Sequence, residues 1–375
     1  MRIAILGAGP AGLYLAYLIK RRCPDSDVAV VEQNRADATF GFGVVFSDRA
    51  LEFLRDDDEG TYSAIAPHVE SWSDIALVHH GERVVIDGIG FAAIGRLKLL
   101  QVLQARARSV GVEPIFGRVV TELDELGSAD LIVGADGVNS LVRRIHEKQF
   151  GASTKFLTNH FAWFGTTRRF ETLTQTFIEN DLGFFNAHHY RYAPEFSTFI
   201  VEVDQATFAR AGFAQMSEAE TRTLCERVFA GALEGHALMS NNSIWRRFPI
   251  VRNEHWRAGK CALIGDALHT AHFSIGSGTR LAMEDAIALD RAIAAHPDDV
   301  VVALAAYESA RRPILEKLVS GANHSAIWYE QFAKHMQLPP LDFAMSYITR
   351  SGRVDVDRLR KLSPHFVARY DRRLH

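Results

Sequence analysis

The residues of this 375-residue chain best suited to chemistry fall in three short stretches. The first, ILGAGPAGL, holds a G-x-G-x-x-G of Gly7, Gly9 and Gly12. Gly7 permits a tight turn, Gly9 lets backbone approach a pyrophosphate, and Gly12 lets the next helix pack close to its strand. That helix starts at Pro10 and Ala11 and turns free N–H groups and its positive dipole end toward phosphates. Glu32, twenty positions after Gly12, is placed to accept the ribose hydroxyls of an adenosine half, and Arg35 follows it. The second stretch, LIVGADGVNS, centres on Asp136. The third, CALIGDALHTAHFSIGSGT, centres on Gly265 and Asp266. Alone, the first asks only for a dinucleotide.

The elements that must hold these stretches follow from hydrophobic period. Residues 1–6, 28–31 and 131–137 are short apolar runs, read as buried parallel strands. GRLKLLQVLQARARSVGV reads as an amphipathic helix from about Arg96, and a second helix runs from Gly278 through Ala295. FGFGVVFSD, between Glu32 and the first of these, reads as a long glycine-containing loop. From about Phe161 to Val203 the period becomes two, and TQTFIEN, GFFNAHHYRY and STFIVEV alternate as antiparallel strands do. The expected fold class is therefore α/β. A Rossmann-like nucleotide fold in two pieces, 1–155 and 245–320, brackets an antiparallel β-sheet substrate domain at 156–244, and a helical segment at 321–375 ends the chain. The cleft between sheet and nucleotide fold is the usual place for a small molecule.

Composition narrows the class. The chain is 47% apolar and 23% charged, as soluble globular proteins are. A net charge of −3 gives no reason to expect nucleic acid. Cys23, Cys225 and Cys261 are scattered and suggest no disulfide framework, which suits a reducing cytosol. No apolar run reaches membrane-spanning length, and a strand starting at Met1 leaves no cleavable signal. A cytoplasmic protein off the membrane is expected, as monomer or homodimer. Asp56-Asp57-Asp58-Glu59 reads as a solvated loop. Residues 350–375, with eight Lys or Arg and three Asp, read as a solvated helix face.

Together the three motifs resemble those of the single-component FAD-dependent aromatic hydroxylases with the para-hydroxybenzoate hydroxylase fold, from Met1 to about Ser320. FGFGVVFSD and HTAHFSIGSGTRLAMEDAIAL look like the branch of salicylyl-CoA 5-hydroxylase and 2-aminobenzoyl-CoA monooxygenase. AWFGT, AHHY and STFIVE look like these and like the tryptophan hydroxylase of violacein biosynthesis. The resemblance implies bound FAD, NADH or NADPH as transient reductant, dioxygen, and hydroxylation of an aromatic ring through a flavin C4a-hydroperoxide. It implies that Asp136-Gly137 helps bind both FAD and NAD(P)H, that Asp266 holds the ribityl chain, and that Arg96 contacts the ribityl or phosphate region. Val45, Gly276, Gly278 and Thr279 complete the expected flavin site. The chain departs from the family pattern at Phe273, where a proline is usual, and at Arg280, where an asparagine is usual.

The substrate is expected under the inserted sheet. Alternate positions share a face, so Asn186, His188 and Tyr190 point together. His188 is a candidate to take a phenolic or amine proton, and His272 is a second candidate. A satisfied polar histidine on a half-exposed strand is an equally good reading of His188. Trp163 and Phe273 suit stacking on an aromatic substrate, and core packing explains Trp163 as well. Asp266, His269 and His272 have spacing that suggests a metal, but the flavin motif already accounts for Asp266 and none is expected. A CoA thioester would need cations at the cleft mouth, for which Arg168-Arg169, Arg246-Arg247 and the C-terminal arginines are candidates. The alternatives are a free indole or phenol substrate, a flavin halogenase and a non-enzymatic flavoprotein. The halogenase W-x-W-x-I-P is absent, IWRRFP at 244–249 being the nearest text.

Overall fold

In the computed structural model, which describes residues 1–39, 41–47 and 51–373, Ile3–Leu6 are buried within the strand Arg2–Leu6. This strand runs parallel to Asp27–Val31 on one side and Leu131–Gly134 on the other. Cys261–Leu263 extends the sheet in parallel, and the short strand Arg257–Ala258 closes it antiparallel. Leu131–Gly134 and Cys261–Leu263 are buried throughout, as strands covered on both faces must be. The helix Pro10–Arg22 buries Ala11 to Ile19 on this sheet and packs against the helix Gly278–Ala295. Gly7 has φ +107°, and a Cβ on Gly12 would lie 2.0 Å from the Gly7 carbonyl oxygen. The turns after Leu6, Gly134 and Leu263 thus leave the carboxyl ends of three adjacent strands, where open parallel sheets bind ligands.

The period-two segment builds an eight-stranded sheet. Its centre is the antiparallel set Ser153–Thr166, Phe196–Val203, Gly183–Ala193 and Leu173–Asn180. Residues opposed across antiparallel strands share a face. One such row is Trp163, Ile200, His188 and Gln175. The next is Phe161, Glu202, Asn186 and Phe177. The opposite face carries Phe164, Phe185, Phe199 and Val201, packed against Phe213, Leu224 and Phe229 of the 205–233 helical region. The sheet also recruits Ile75–His79, parallel to Leu173–Asn180, and Glu82–Ile86 from outside 156–244. Ser153–Thr166 and its partner Arg246–Arg252 extend past those bounds as well. The 31-residue helix Val300–Glu330 runs through position 320 with Pro313 inside it. With Pro340–Thr349 and Pro364–Arg372 it covers part of this sheet, where Trp328, Phe332 and Phe343 meet Ile75 and Phe177.

Two local expectations change. Gly43–Ser47 is a strand rather than loop and pairs antiparallel with Phe91–Gly95. Its Val44, Val45 and Phe46 favour an extended, half-buried backbone, and the flanking glycines hid that preference. Phe40 and Asp48 of the same stretch lie outside the described residues. The acidic run is not a solvated loop either. Asp58 is 5% exposed, caps the helix Glu59–Ile65 at Thr61 N, and pairs with Arg21 at 3.0 Å. The C-terminal cations are largely solvated as expected, with Arg353, Arg358, Arg360, Lys361, Arg369 and Arg372 exposed, while Arg373 is held by Asp342 and Arg350 by Ser325 Oγ and Ser274 O. Among the described residues, no helix is long and apolar enough to cross a membrane.

Candidate active site

A cavity of about 940 Å³ lies between the two sheets. One end is made by the glycine turns. Gly9, Pro10 and Ala11 line it, and a Cβ on Gly9 would meet nothing within 4 Å. Pro10 at the first helical position has no N–H to lose, so Ala11 and Gly12 supply the donors of the helix N-terminus. Glu32 secures this turn from outside the wall. Its Oε2 accepts from Ala8 N at 2.9 Å, and its Oε1 accepts from Asn34 N and Nδ2 at 2.9 and 2.7 Å. Arg35 is not brought to the cavity; it is exposed and pairs with Asp37 at 3.2 Å.

Asp136 Oδ2 accepts from Leu141 N at 2.7 Å, which caps the next helix. Its Oδ1 is buried with no partner, while Gly137, Val138 and Asn139 line the cavity. Burial raises its pKa above the ordinary carboxylate value. Asp266 opens onto the cavity opposite Arg96, the first residue of the helix Arg96–Ser109. Burial raises the Asp266 pKa against the pull of His269 and Arg96, and it lowers Arg96 against the pull of Asp266. Gly276 has φ +59°, and a Cβ there would lie 2.9 Å from Val45 Cγ1. Gly265, Gly278 and Thr279 complete this wall.

An orphaned buried acceptor, an open glycine at a helix N-terminus and a facing Asp–Arg pair suit a dinucleotide with phosphates at one end and hydroxyls further along. His269, considered above for a metal, is taken up by Asp285. Its Nε2 lies 2.7 Å from Asp285 Oδ2, which also accepts from Gly265 N at 3.1 Å, while Arg311 Nε donates to Oδ1 at 2.9 Å. Arg311 and His269 hold the Asp285 carboxyl below its usual range despite burial. This cluster fixes the Gly265 turn from beneath.

The other end of the cavity is aromatic. Phe161, Trp163, Tyr190 and Phe273 line it with Leu173, Gln175, His188 and Ile200. The Phe273 ring lies 5.0 Å from Phe161, 6.5 Å from Trp163 and 5.1 Å from His188. Gly41, at φ +79°, lets backbone pass over the Trp163 indole, which a Cβ would approach to 3.1 Å. Tyr190 donates to Gly43 O at 3.0 Å and so fastens the sheet to the strand Gly43–Ser47. Asn186 shares the face but lies off the cavity wall, buried, with Nδ2 3.5 Å from Thr176 O.

The two histidines differ from a simple base. His188 lines the cavity, but its Nδ1 lies 2.8 Å from Gln175 Nε2 and its Nε2 lies 3.1 Å from Glu202 Oε2. Burial, aided by Arg350, holds its pKa well below the usual value. His272 is not on the wall. Phe273 stacks on it at 4.3 Å, and its Nδ1 meets Ser274 Oγ at 2.8 Å. Burial brings it down to about 4.

Gln175, Glu202 and Asp285 did not emerge from motifs. Their one sequence signal was parity: Glu202 is the single charge in STFIVEV and falls in phase with Ile200 on the inward face.

The cavity opens past Phe156, Trp245, Arg246 and Arg247. Both arginines are exposed, and Arg247 Nε donates to Leu157 O at 2.7 Å. Of the three cation sets considered, this pair is the one that lines the cavity. Arg168 instead pairs with Glu234 at 2.6 Å, and no described arginine of the C-terminal segment is among the residues that line the cavity.

Residues 98–322 match a family described as FAD binding domain. The chain is 42% identical over 361 residues to salicyloyl-CoA 5-hydroxylase of a Streptomyces species, covering 94% of this chain and 70% of that longer protein. It is 36% identical to 3-hydroxy-4-methyl-anthranilyl-[aryl-carrier protein] 5-monooxygenase of Streptosporangium sibiricum, covering 94% and 95%. It is 32% identical to protodeoxyviolaceinate monooxygenase of Chromobacterium violaceum, covering 93% and 94%.

Proposed function

The chain belongs to the FAD binding domain family and is an FAD-dependent aromatic hydroxylase, and from that premise we propose that its substrate is an aromatic acyl thioester, salicyloyl-CoA or an aminobenzoyl relative. The observation that carries this reading is the cavity itself. It runs from the nucleotide turns past an aromatic wall and ends at the exposed Arg246-Arg247 pair. A ring held against Trp163 and Phe273 would leave its acyl arm pointing to that mouth. Exposed guanidinium groups suit the phosphates of a pantetheine arm. The likeness to two proteins named for thioester substrates supports the same choice.

FAD, when bound, would pass electrons from NAD(P)H, the family's typical reductant, to dioxygen and so supply the activated oxygen. Gly9 and the Pro10 helix would hold its phosphates, Asp266 and Arg96 its ribityl chain, and Val45 with Gly276 its ring edge. The chain's own share of the reaction is orientation and exclusion of water. Phe161, Trp163, Phe273 and Tyr190 present an aromatic wall to the substrate ring. Arg246 and Arg247 would anchor the far end without touching the reacting atoms.

The test is NAD(P)H oxidation by the FAD-loaded protein with salicyloyl-CoA, 2-aminobenzoyl-CoA, the free acids and tryptophan. The reading expects stimulation by a thioester and little by its free acid. Equal stimulation by the acid removes the thioester handle. Preference for an uncharged indole favours the second reading, a free aromatic substrate, which the likeness to protodeoxyviolaceinate monooxygenase supports.

A further inference from the structure

A buried polar circuit runs from the cavity wall at Gln175 and His188 to Glu202 one row deeper, and joins four strands and the long C-terminal helix. Tyr329 OH donates to Gln175 Oε1 at 3.2 Å, and Gln175 Nε2 donates to His188 Nδ1 at 2.8 Å. With Nδ1 accepting, the His188 proton sits on Nε2 and is donated to Glu202 Oε2 at 3.1 Å. Asn159 Nδ2 donates to Glu202 Oε1 at 2.9 Å and to Tyr329 O at 2.8 Å. Glu202 is 2% exposed.

This is an expensive place for a carboxylate. Its hydrogen-bond partners are a neutral imidazole and an amide, and among the described residues no hydrogen bond or ion pair joins it to an arginine or lysine. A glutamine, with one acceptor and one donor, would fit here uncharged with His188 in its other tautomer, Nε2 accepting. What glutamate adds is the ability to change charge. The titratable groups around it are His188 from Gly183–Ala193, His272 from the loop before Gly276, and Glu330 from the end of Val300–Glu330. Tyr329 feels Glu202 from that same helix, and Arg350 acts on both histidines and on Tyr329. Burial dominates and pushes the Glu202 carboxyl up to about 7, while His272 and Asn159 pull it down and Glu330 adds to the rise. Both histidines are driven the other way, out of the neutral range. Of the three, the carboxyl is the group that titrates where the enzyme works.

We propose that Glu202 is the proton acceptor behind the substrate ring, acting through His188. The substrate O–H or N–H bond breaks as Nδ1–H forms, and Nε2–H breaks as Oε2–H forms. His188 ends neutral in its other tautomer, Glu202 ends as a neutral acid, and the ring gains electron density with no change in net charge. Gln175, which also lines the cavity, swings off Nδ1 so that the substrate group takes its single in-plane lone pair, and Nδ1–H then donates to the atom left on the ring. His188 is the group that meets the substrate; Glu202 positions its proton and receives it. The proposal rests on the cavity being the ring site.

Two measurements on the FAD-loaded protein test it. The first needs no substrate: the infrared carbonyl band of a buried carboxylic acid should titrate near neutral pH and be absent in Glu202→Gln. A missing band, or one retained in Glu202→Gln, overturns the proposal whatever the substrate proves to be. The second is single-turnover hydroxylation of salicyloyl-CoA against pH, with flavin reduction by NAD(P)H measured alongside. The unsubstituted enzyme should lose about tenfold in hydroxylation per pH unit below the Glu202 pKa and level off above it. Glu202→Gln should be slow and flat across that range, with FAD content and flavin reduction unchanged. Glu202→Asp, which keeps the charge on a shorter arm, should restore the pH step in part. An unshifted pH step in Glu202→Gln, or equal loss in both half-reactions, refutes the relay.

Discussion

Two glycines three residues apart should fail in different ways when replaced by alanine. At Gly9 the backbone is extended, at φ −75°, and a Cβ meets no protein atom. Gly9→Ala should therefore leave apoprotein stability within about 0.5 kcal/mol of the original. The new methyl would occupy the space over which the pyrophosphate runs. Holding phosphate away from two backbone donors removes charge-assisted hydrogen bonds worth about 1.5–3 kcal/mol each, so FAD affinity should fall at least tenfold. At Gly12 the Cβ would sit 2.0 Å from Gly7 O, where real side-chain carbons essentially never come within 3.0 Å. The helix must move by about 1 Å off its strand, an overpacking cost of about 1–3 kcal/mol in the apoprotein itself. With an unfolding entropy of about 2.1 cal/mol/K per residue, that is a drop of about 1–4 °C in apoprotein Tm. Thermal unfolding of deflavinated protein and FAD titration by flavin fluorescence separate the two effects. FAD binding to Gly9→Ala with unchanged affinity would refute the placement of the phosphates over Gly9. A Gly12→Ala apoprotein as stable as the original would refute the steric account of the turn.

Other perturbations give distinct readouts. Asp266→Ala removes a charged acceptor from the cavity wall, and FAD should bind about 10–100-fold more weakly in equilibrium dialysis with the apoprotein fold unchanged by circular dichroism. Glu202→Gln should stabilise the protein in a pH-dependent way. The folded-state pKa of Glu202 is raised from 4.5 to about 7, so its contribution is fully present below the unfolded value and is lost as pH rises through the folded one. The advantage of Glu202→Gln in urea unfolding should grow over that window toward about 3 kcal/mol, and a gap that shrinks with rising pH would contradict the sign. The double replacement of Arg246 and Arg247 by alanine should raise the thioester KM several-fold and flatten its salt dependence, with kcat and FAD content kept. Loss of flavin from that variant would place the pair in the cofactor site instead.

What the sequence made legible was local. The glycine turn, the Asp136 and Asp266 turns and the helices at Arg96 and Gly278 follow from short spacings, and the structure sets all of them around one cavity. Period-two parity placed His188 and Tyr190 on the cavity face. Parity could not say how far along that face the cavity extends, and Asn186 lies beyond it. Arg35, a candidate at the cofactor beside Glu32, turns to solvent and pairs with Asp37. Asp58 looked solvated until Arg21 and Arg106, distant in sequence, closed over it. The larger omission was the partnership of His188. Gln175 and Glu202 come from two different strands, and only the register of those strands with that of His188 brings them to one ring. The same holds for Arg246-Arg247, which sequence could not choose over two other arginine groups.

The measurement that bears most directly on the central claim is single-turnover hydroxylation of salicyloyl-CoA under isotopically labelled dioxygen, with salicylate run in parallel. The account predicts one labelled oxygen in the ring of the thioester product, NAD(P)H consumed in equal amount, and little product from the free acid. Label drawn from water, NAD(P)H consumed with no hydroxylated ring, or salicylate converted as well as its thioester would contradict it.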